Sequence, residues 1–310
     1  MKECLREIGC CIYCGTTDGE LTEEHIVPFA LGANLVLGHA SCFECQKKTS
    51  AIEHHVCRPI AGMARVRLNI QTRRPKKRLS FPQKVQKGDE WKTVMADPEE
   101  FPALLSYPVF DKPGIVANRP PEGQYRQVGL WSLGFDDDFR LVAERARVTH
   151  QATSINLIEF RPTVLMNFVA KVAHAAACGL LPPDSFEPML TLAATTEGVF
   201  DYVLGGGGSF PPQEGVLHSI EIRQVNGNSG SLIFARLRWF AHLAPPMSQI
   251  ATGDPILGPP SFLAIVGRPR ANFFKNKLAF ININLDGTSI YGVQEIPSDF
   301  AGQAMPLPRK

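Results

Sequence analysis

Cys11-Ile12-Tyr13-Cys14-Gly15 and Cys42-Phe43-Glu44-Cys45-Gln46 are the two stretches that decide how the first part of this chain folds. Two residues lie between the cysteines of each pair, and 27 residues separate the pairs. Two such pairs can set four thiolates tetrahedrally around one Zn2+ at ~2.3 Å. Gly15 suits the tight turn after the first pair, because glycine tolerates backbone angles that other residues avoid. Eight cysteines in 310 residues is far from disulfide-scaffold density. In a reducing compartment, closely spaced cysteines are metal ligands more often than disulfides. Cys4, Cys57 and Cys178 have no partner at ligand spacing and read as small hydrophobes, and Cys10 sits beside Cys11.

Working outward, the span from Leu21 to Leu37 holds two short apolar segments, His25–Phe29 and Leu35–Leu37, around a Gly32-Ala33-Asn34 turn. That pattern is a β-hairpin. Ser41 is placed to cap a helix opening at the second cysteine pair. Cys45, Thr49, Ile52, Val56, Ile60 and Met63 then recur at three or four residues, which carries the helix to about Arg65. A knuckle, a hairpin and a helix have little core of their own, so a metal would supply much of their folding free energy.

Charge is unevenly spread. Arg58 to Gly88 holds ten basic residues and no acidic one, while residues 1–57 carry four basic and eight acidic side chains. Arg65, Arg67, Arg73, Arg74, Lys76, Lys77 and Arg78 fit a phosphate-backbone contact; a solvated linker reads equally well from charge alone. The stretch also marks a boundary, giving two domains at 1–80 and 81–310. Residues 81–130 are rich in proline and glycine, with a short strand at Trp91–Met95. Residues 162–181 read as an amphipathic helix, with a second short helix after Asp184. Gly205–Gly208 reads as a flexible turn. Strands are expected at Ser219–Val225, Ser231–Phe240, Ser261–Val266 and Leu278–Asn284, an α+β domain with an antiparallel sheet. No run of ~18 apolar residues appears, and Met1-Lys2-Glu3-Cys4 does not open a signal peptide, so a cytoplasmic protein without membrane contact is expected.

Cys11-x-x-Cys14-Gly15, Glu24-His25-Ile26-x-Pro28, Leu31-Gly32, Asn34-Leu35 and Cys42-x-x-Cys45 resemble, in that order, the HNH endonucleases that carry a four-cysteine zinc. The resemblance covers residues 11 to about 70 and implies a treble-clef, or ββα-metal, fold. The segment from Ala40 to Arg78 and the layout of the second domain are also similar to a group of bacterial HNH proteins. Phosphodiester hydrolysis needs an activated water, neutralised phosphate oxygens and a stabilised leaving group. A neutral histidine can take the proton and one divalent ion can do the rest. The resemblance implies His25 as general base, Glu24 as a ligand of a catalytic Mg2+ or Mn2+, and Asn34 as the residue that positions the histidine. The third family residue follows the last cysteine; here it is Gln46, where the family has His or Asn. Thr49 and Glu53 share its helical face and are candidates to substitute. Neighbouring strand residues point to opposite faces, so Glu24 and His25 cooperate only if the strand ends or bulges there.

The expected function is therefore metal-dependent cleavage of nucleic acid, with DNA favoured. The competing reading is a degenerate HNH zinc module that binds DNA or a protein without cutting. A third gives residues 81–310 a regulatory, sensor or substrate-groove role. His39, His54, His55 and His174 read as structural or solvent-facing, and Asp136-Asp137-Asp138 as a solvated turn.

Overall fold

Nineteen residues from Pro162 to Leu180 form the helix around which the rest of the chain is arranged. Proline at its start costs nothing, since the first amides of a helix lack intrahelical partners. Val164, Leu165, Phe168, Val169, Val172, Ala173 and Ala176 are all buried, as the periodicity requires. The helix is buried nearly all round, which its composition permits because Ala173 and Ala175–Ala177 let neighbours approach closely. Gly179 is part of the same fit: a Cβ there would lie 2.6 Å from Leu5 and 3.0 Å from Leu37. By length and composition this helix could cross a membrane, with mean hydropathy 1.4, yet 83% of that window is buried inside the fold, as in a core helix.

In this computed structural model the described residues are 2–57, 61–70, 80–136, 139–156, 161–227, 230–244, 257–270, 274 and 276–296. The chain is mixed α+β. On one side of the core helix lies an antiparallel sheet. Its strands run in the spatial order Leu204–Ser209, Pro260–Pro269, Gly230–Trp239, Val216–Gly227, Lys277–Asn284 and Ser289–Glu295, with Phe186–Pro188 added to Pro260–Pro269. Ile220, Ile222, Ala235, Leu237, Ala264 and Ile281 are buried at alternating positions of these strands. On the other side lie the cysteine-bearing segments. Strand Leu35–Cys42 pairs antiparallel with Leu21–His25 and parallel with Glu3–Glu7, and runs straight into helix Phe43–Cys57.

One hydrophobic core runs from Cys11 to Ile283 and includes Leu37, Val56, Phe168 and Leu237. The boundary expected near residue 80 therefore does not separate two cores. Specific bonds add to the apolar contact. Arg6 donates to the carbonyls of Cys178 (3.1 Å) and Leu181, and Tyr291 donates to Glu3 at 2.9 Å. His218 on the large sheet donates Nε2–H to the Leu31 carbonyl at 2.8 Å and accepts the Phe240 amide at 3.1 Å. A smaller cluster around Phe81, Val85 and Phe101 fills a three-stranded sheet, Glu90–Ala96, Phe81–Lys87 and Ser154–Asn156.

Several expectations are corrected. The hairpin strand ends at His25 rather than starting there, and Phe29–Leu31 is a turn of 3-10 helix. Ser41 is the penultimate strand residue, and its hydroxyl points to the Cys42 carbonyl, so it does not cap the helix. The helix does not run unbroken to Arg65: it ends at Cys57 and a second helix spans Gly62–Arg67. Residues 58–60 between the two helices lie outside the described residues. Gly205–Gly208 lies in a strand. A Cβ at Gly206 would stand 1.9 Å from the Phe110 carbonyl oxygen, so glycine serves close backbone approach rather than flexibility. The segment 81–130, read as rich in proline and glycine with one short strand, also holds strands Phe81–Lys87 and Leu104–Phe110, the latter paired with Gln127–Gly134. After Asp184 comes strand Phe186–Pro188 and only then helix Thr191–Thr195. Asp136 is not solvated: it accepts from Arg67 at 2.7 Å and from the Ala103 amide at 2.6 Å, while Asp137 and Asp138 lie outside the described residues. Cys4, read as a small hydrophobe, is exposed.

Candidate metal centre

The first cysteine pair sits in a loop closed on itself. The Cys11 amide donates to the Thr16 carbonyl and the Gly15 amide to the Cys11 carbonyl, each at 2.8 Å, and Gly15 takes a positive φ of 76°. This knuckle is tied on two sides. Ile12 donates its amide to Ala40 at 2.9 Å, and its carbonyl accepts Nε2–H of His174 from the core helix at 2.6 Å. Cys42 ends the strand and Cys45 lies in the first helical turn. The four sulfurs of Cys11, Cys14, Cys42 and Cys45 all lie within 4.8 Å of one another, close enough to bind one metal ion. Cys14 and Cys42 are 3.7 Å apart. A tetrahedron of ~2.3 Å metal–sulfur bonds has edges of about 3.8 Å. A hydrogen bond from the Cys45 amide lowers the Cys42 thiol to about 7, while burial raises that of Cys45.

A second polar site lies behind this one. Lys171, on the core helix, is fully buried, and its ammonium stands 2.7 Å from Glu24 Oε1 and 2.7 Å from Glu53 Oε1. It also donates to the main-chain carbonyl of His25. Burial alone would lower the lysine pKa, but the two carboxylates outweigh it and hold it above the ordinary lysine value. Tyr13 is buried nearby, its phenol pushed well above the usual range by burial and then by Glu24 and Glu53. Two carboxylates and a carbonyl around one cation is the oxygen set that Mg2+ or Mn2+ would choose. Here the cation is an ammonium belonging to the chain.

The residues singled out by resemblance are distributed as follows. Glu24 is 4% exposed and engaged by Lys171. The strand has its irregularity between Thr22 and Glu24, and regular pairing returns at Glu24 and His25. Glu24 therefore turns inward while His25 stays half-buried, near Glu23, which an ion pair with Lys2, assisted by His25, holds below the ordinary carboxylate range. Asn34 packs its amide toward the turn at Gly287. Gln46 is half-buried, and among the described residues no hydrogen bond joins its side chain to Glu24. The helix residue that does reach Glu24 is Glu53, through Lys171. Glu24 is thus engaged by Lys171 and not by Gln46. Arg67 is committed to Asp136, and Arg65 is half-buried, its pKa lowered by that burial. Arg73, Arg74, Lys76, Lys77 and Arg78 lie outside the described residues.

Of the histidines, His39 lies in strand Leu35–Cys42 and meets Glu7 at 2.8 Å. Lys171 is the site residue that sequence reasoning missed. A lysine inside a mostly apolar nineteen-residue helix was its visible signal. Comparison with protein-family models, curated proteins and solved structures found no match to this chain.

Proposed function

We propose that the chain is a zinc-stapled, HNH-derived protein that binds nucleic acid through a treble-clef-type N-terminal unit. Lys171, reaching this unit from the core helix, fills the position of the catalytic cation. Four thiols at this spacing and separation suit Zn2+, whose role would be structural because no ligand position is left open. The observation that carries the reading is the ammonium of Lys171 seated between Glu24 and Glu53. It supplies the positive charge that the carboxylates need, and its full burial denies a phosphate access to that charge. The basic stretch from Arg58 to Lys87 is the sequence feature that favours a nucleic-acid backbone as the partner.

Metal-dependent cleavage is the second reading, and one observation favours it. Glu24, Glu53 and the His25 carbonyl form the oxygen set of a hard-cation site, and His25 stays half-buried rather than sealed. A divalent ion could hold there only if Lys171 withdrew. In that case the His25 ring is the group available to take a proton from water. Incubating the zinc-loaded protein with plasmid and single-stranded DNA or RNA, with and without Mg2+ or Mn2+, separates the two. Retention without nicking is the expected result; nicking that Mn2+ drives and His25→Ala abolishes would establish the second reading instead.

A further inference from the structure

The large sheet carries a second charged cluster on the face away from the core helix. Ile220 and Ile222 point inward, so their neighbours Ser219, Glu221 and Arg223 share the opposite face. Across the ladder, Glu221 pairs in register with Arg236 and Ser219 with Arg238. Three guanidinium groups thus surround one carboxylate. Arg236 donates to Glu221 at 3.3 Å, and Arg238 donates to the Pro211 carbonyl at 2.6 Å. The ring of Phe210 lies 4.4 Å from the Arg236 guanidinium carbon and 5.7 Å from that of Arg238, holding both planes in place.

The bonding on this face is incomplete. Arg236 and Arg238 are each 9% exposed. Nε and one Nη of Arg236, Nε of Arg238, Nε of Arg223 and the hydroxyl of Ser219 are buried and have no hydrogen-bond partner among the described residues. Burial lowers the pKa of all three arginines, and Arg236 is lowered further by Arg223 and Arg238. Like charges gathered out of water with donors unmet are costly unless an anion completes them.

We propose that Arg223, Arg236, Arg238 and Ser219 form a binding site for a compact dianionic phosphate group, either inorganic phosphate or a phosphomonoester. Three positive charges against Glu221 leave an excess of two, which matches a dianion. Arginine forks present the paired N–H geometry that phosphate oxygens accept. The burial of Arg236 and Arg238 suits a small terminal group and not the backbone of a duplex. This site is separate from the zinc unit and does not depend on the reading given for it.

The test uses the full-length, zinc-loaded protein. Inorganic phosphate, a nucleoside 5′-monophosphate and chloride are compared at matched ionic strength, by thermal shift and by 31P line broadening. Saturable stabilisation by one or both phosphates, with chloride inert, is expected; the arm that binds more tightly identifies the source. Arg223→Gln, at the less buried position, should weaken binding by about tenfold while the fold is retained. Arg236→Lys, which keeps the charge and loses the fork, should weaken it similarly. Equal effects of phosphate and chloride, or affinity unchanged in both variants, would overturn the proposal. So would a 5′-hydroxyl oligonucleotide that binds as tightly as the monophosphate and with the same sensitivity to Arg223→Gln.

Discussion

The four-cysteine cluster and the Glu24–Lys171–Glu53 cluster share the hairpin and helix Phe43–Cys57 and were visible in the sequence to opposite degrees. The cysteines come from two turns, each with its ligands three residues apart, so chain geometry alone brings each pair together. The ammonium of Lys171 arrives at His25 from 146 residues away. No local spacing encodes that meeting; only the packing of a buried helix against the strand and against helix Phe43–Cys57 does. Short-range metal frames are legible in a sequence, whereas a charge supplied from a distant helix has to be seen. The second fact is the one on which the proposed function turns, because it engages the carboxylate of Glu24.

Breaking the cysteine frame should have the largest effect. Structural zinc in small units contributes about 10 kcal/mol or more of apparent binding free energy. Cys42→Ser should therefore lose the metal and unfold the knuckle, and elemental analysis with circular dichroism reads both. Because the core is continuous from Cys11 to Ile283, the damage should extend to the large sheet. A fragment ending near residue 88 should fail to fold by itself even with zinc present. A soluble, folded fragment would restore the two-domain picture.

Removing the distant charge should come next. Lys171→Met leaves Glu24 buried opposite no cation, and breaking a buried pair in this way costs about 3–5 kcal/mol. The double variant Glu24→Gln, Lys171→Met should recover part of that loss in urea unfolding. A single variant as stable as wild type would show that the ion pair is not the link between helix and hairpin.

The contact between His218 and Leu31 gives a smaller, pH-dependent effect. Burial, with His242 adding to it, lowers His218 to about 3 despite the Leu31 carbonyl. The unfolded chain takes up this proton near pH 6.5 and the folded chain does not, so the stabilisation is complete above that value. It falls as the pH drops from 6.5 toward 3, by about 3 kcal/mol at pH 4. Urea midpoints measured across this range should lose much of their slope in His218→Gln. The slightest structural effect is expected from replacing Arg73, Arg74, Lys76, Lys77 and Arg78 with alanine. That variant should stay folded and bind nucleic acid more weakly, with a flatter salt dependence.

What could be read in advance follows the same division. The core helix and four strands of the large sheet were legible because apolar periodicity is local, and their observed ends differ from expectation by only a few residues. Strand Glu3–Glu7 was not, since it is short, half-exposed and ordered by parallel pairing with Leu35–Cys42. Helix Phe139–Thr149 was missed although Val142, Ala143 and Ala146 recur at helical spacing in its sequence. Residues 205–208 look like a flexible turn until the backbone of Phe110–Pro113 is seen pressed against Gly205 and Gly206. At the site, Glu24-His25 was recognised as a pair; the strand does end at His25, while its irregularity falls before Glu24.

The central claim is that Lys171 is the cation of the Glu24–Glu53 site. The most direct measurement is titration of the zinc-loaded, full-length protein with Mn2+, followed by electron paramagnetic resonance, with plasmid nicking assayed in the same samples. The account predicts no saturable Mn2+ binding and no nicking. Stoichiometric Mn2+ binding that disappears in Glu24→Gln, accompanied by nicking, would contradict it.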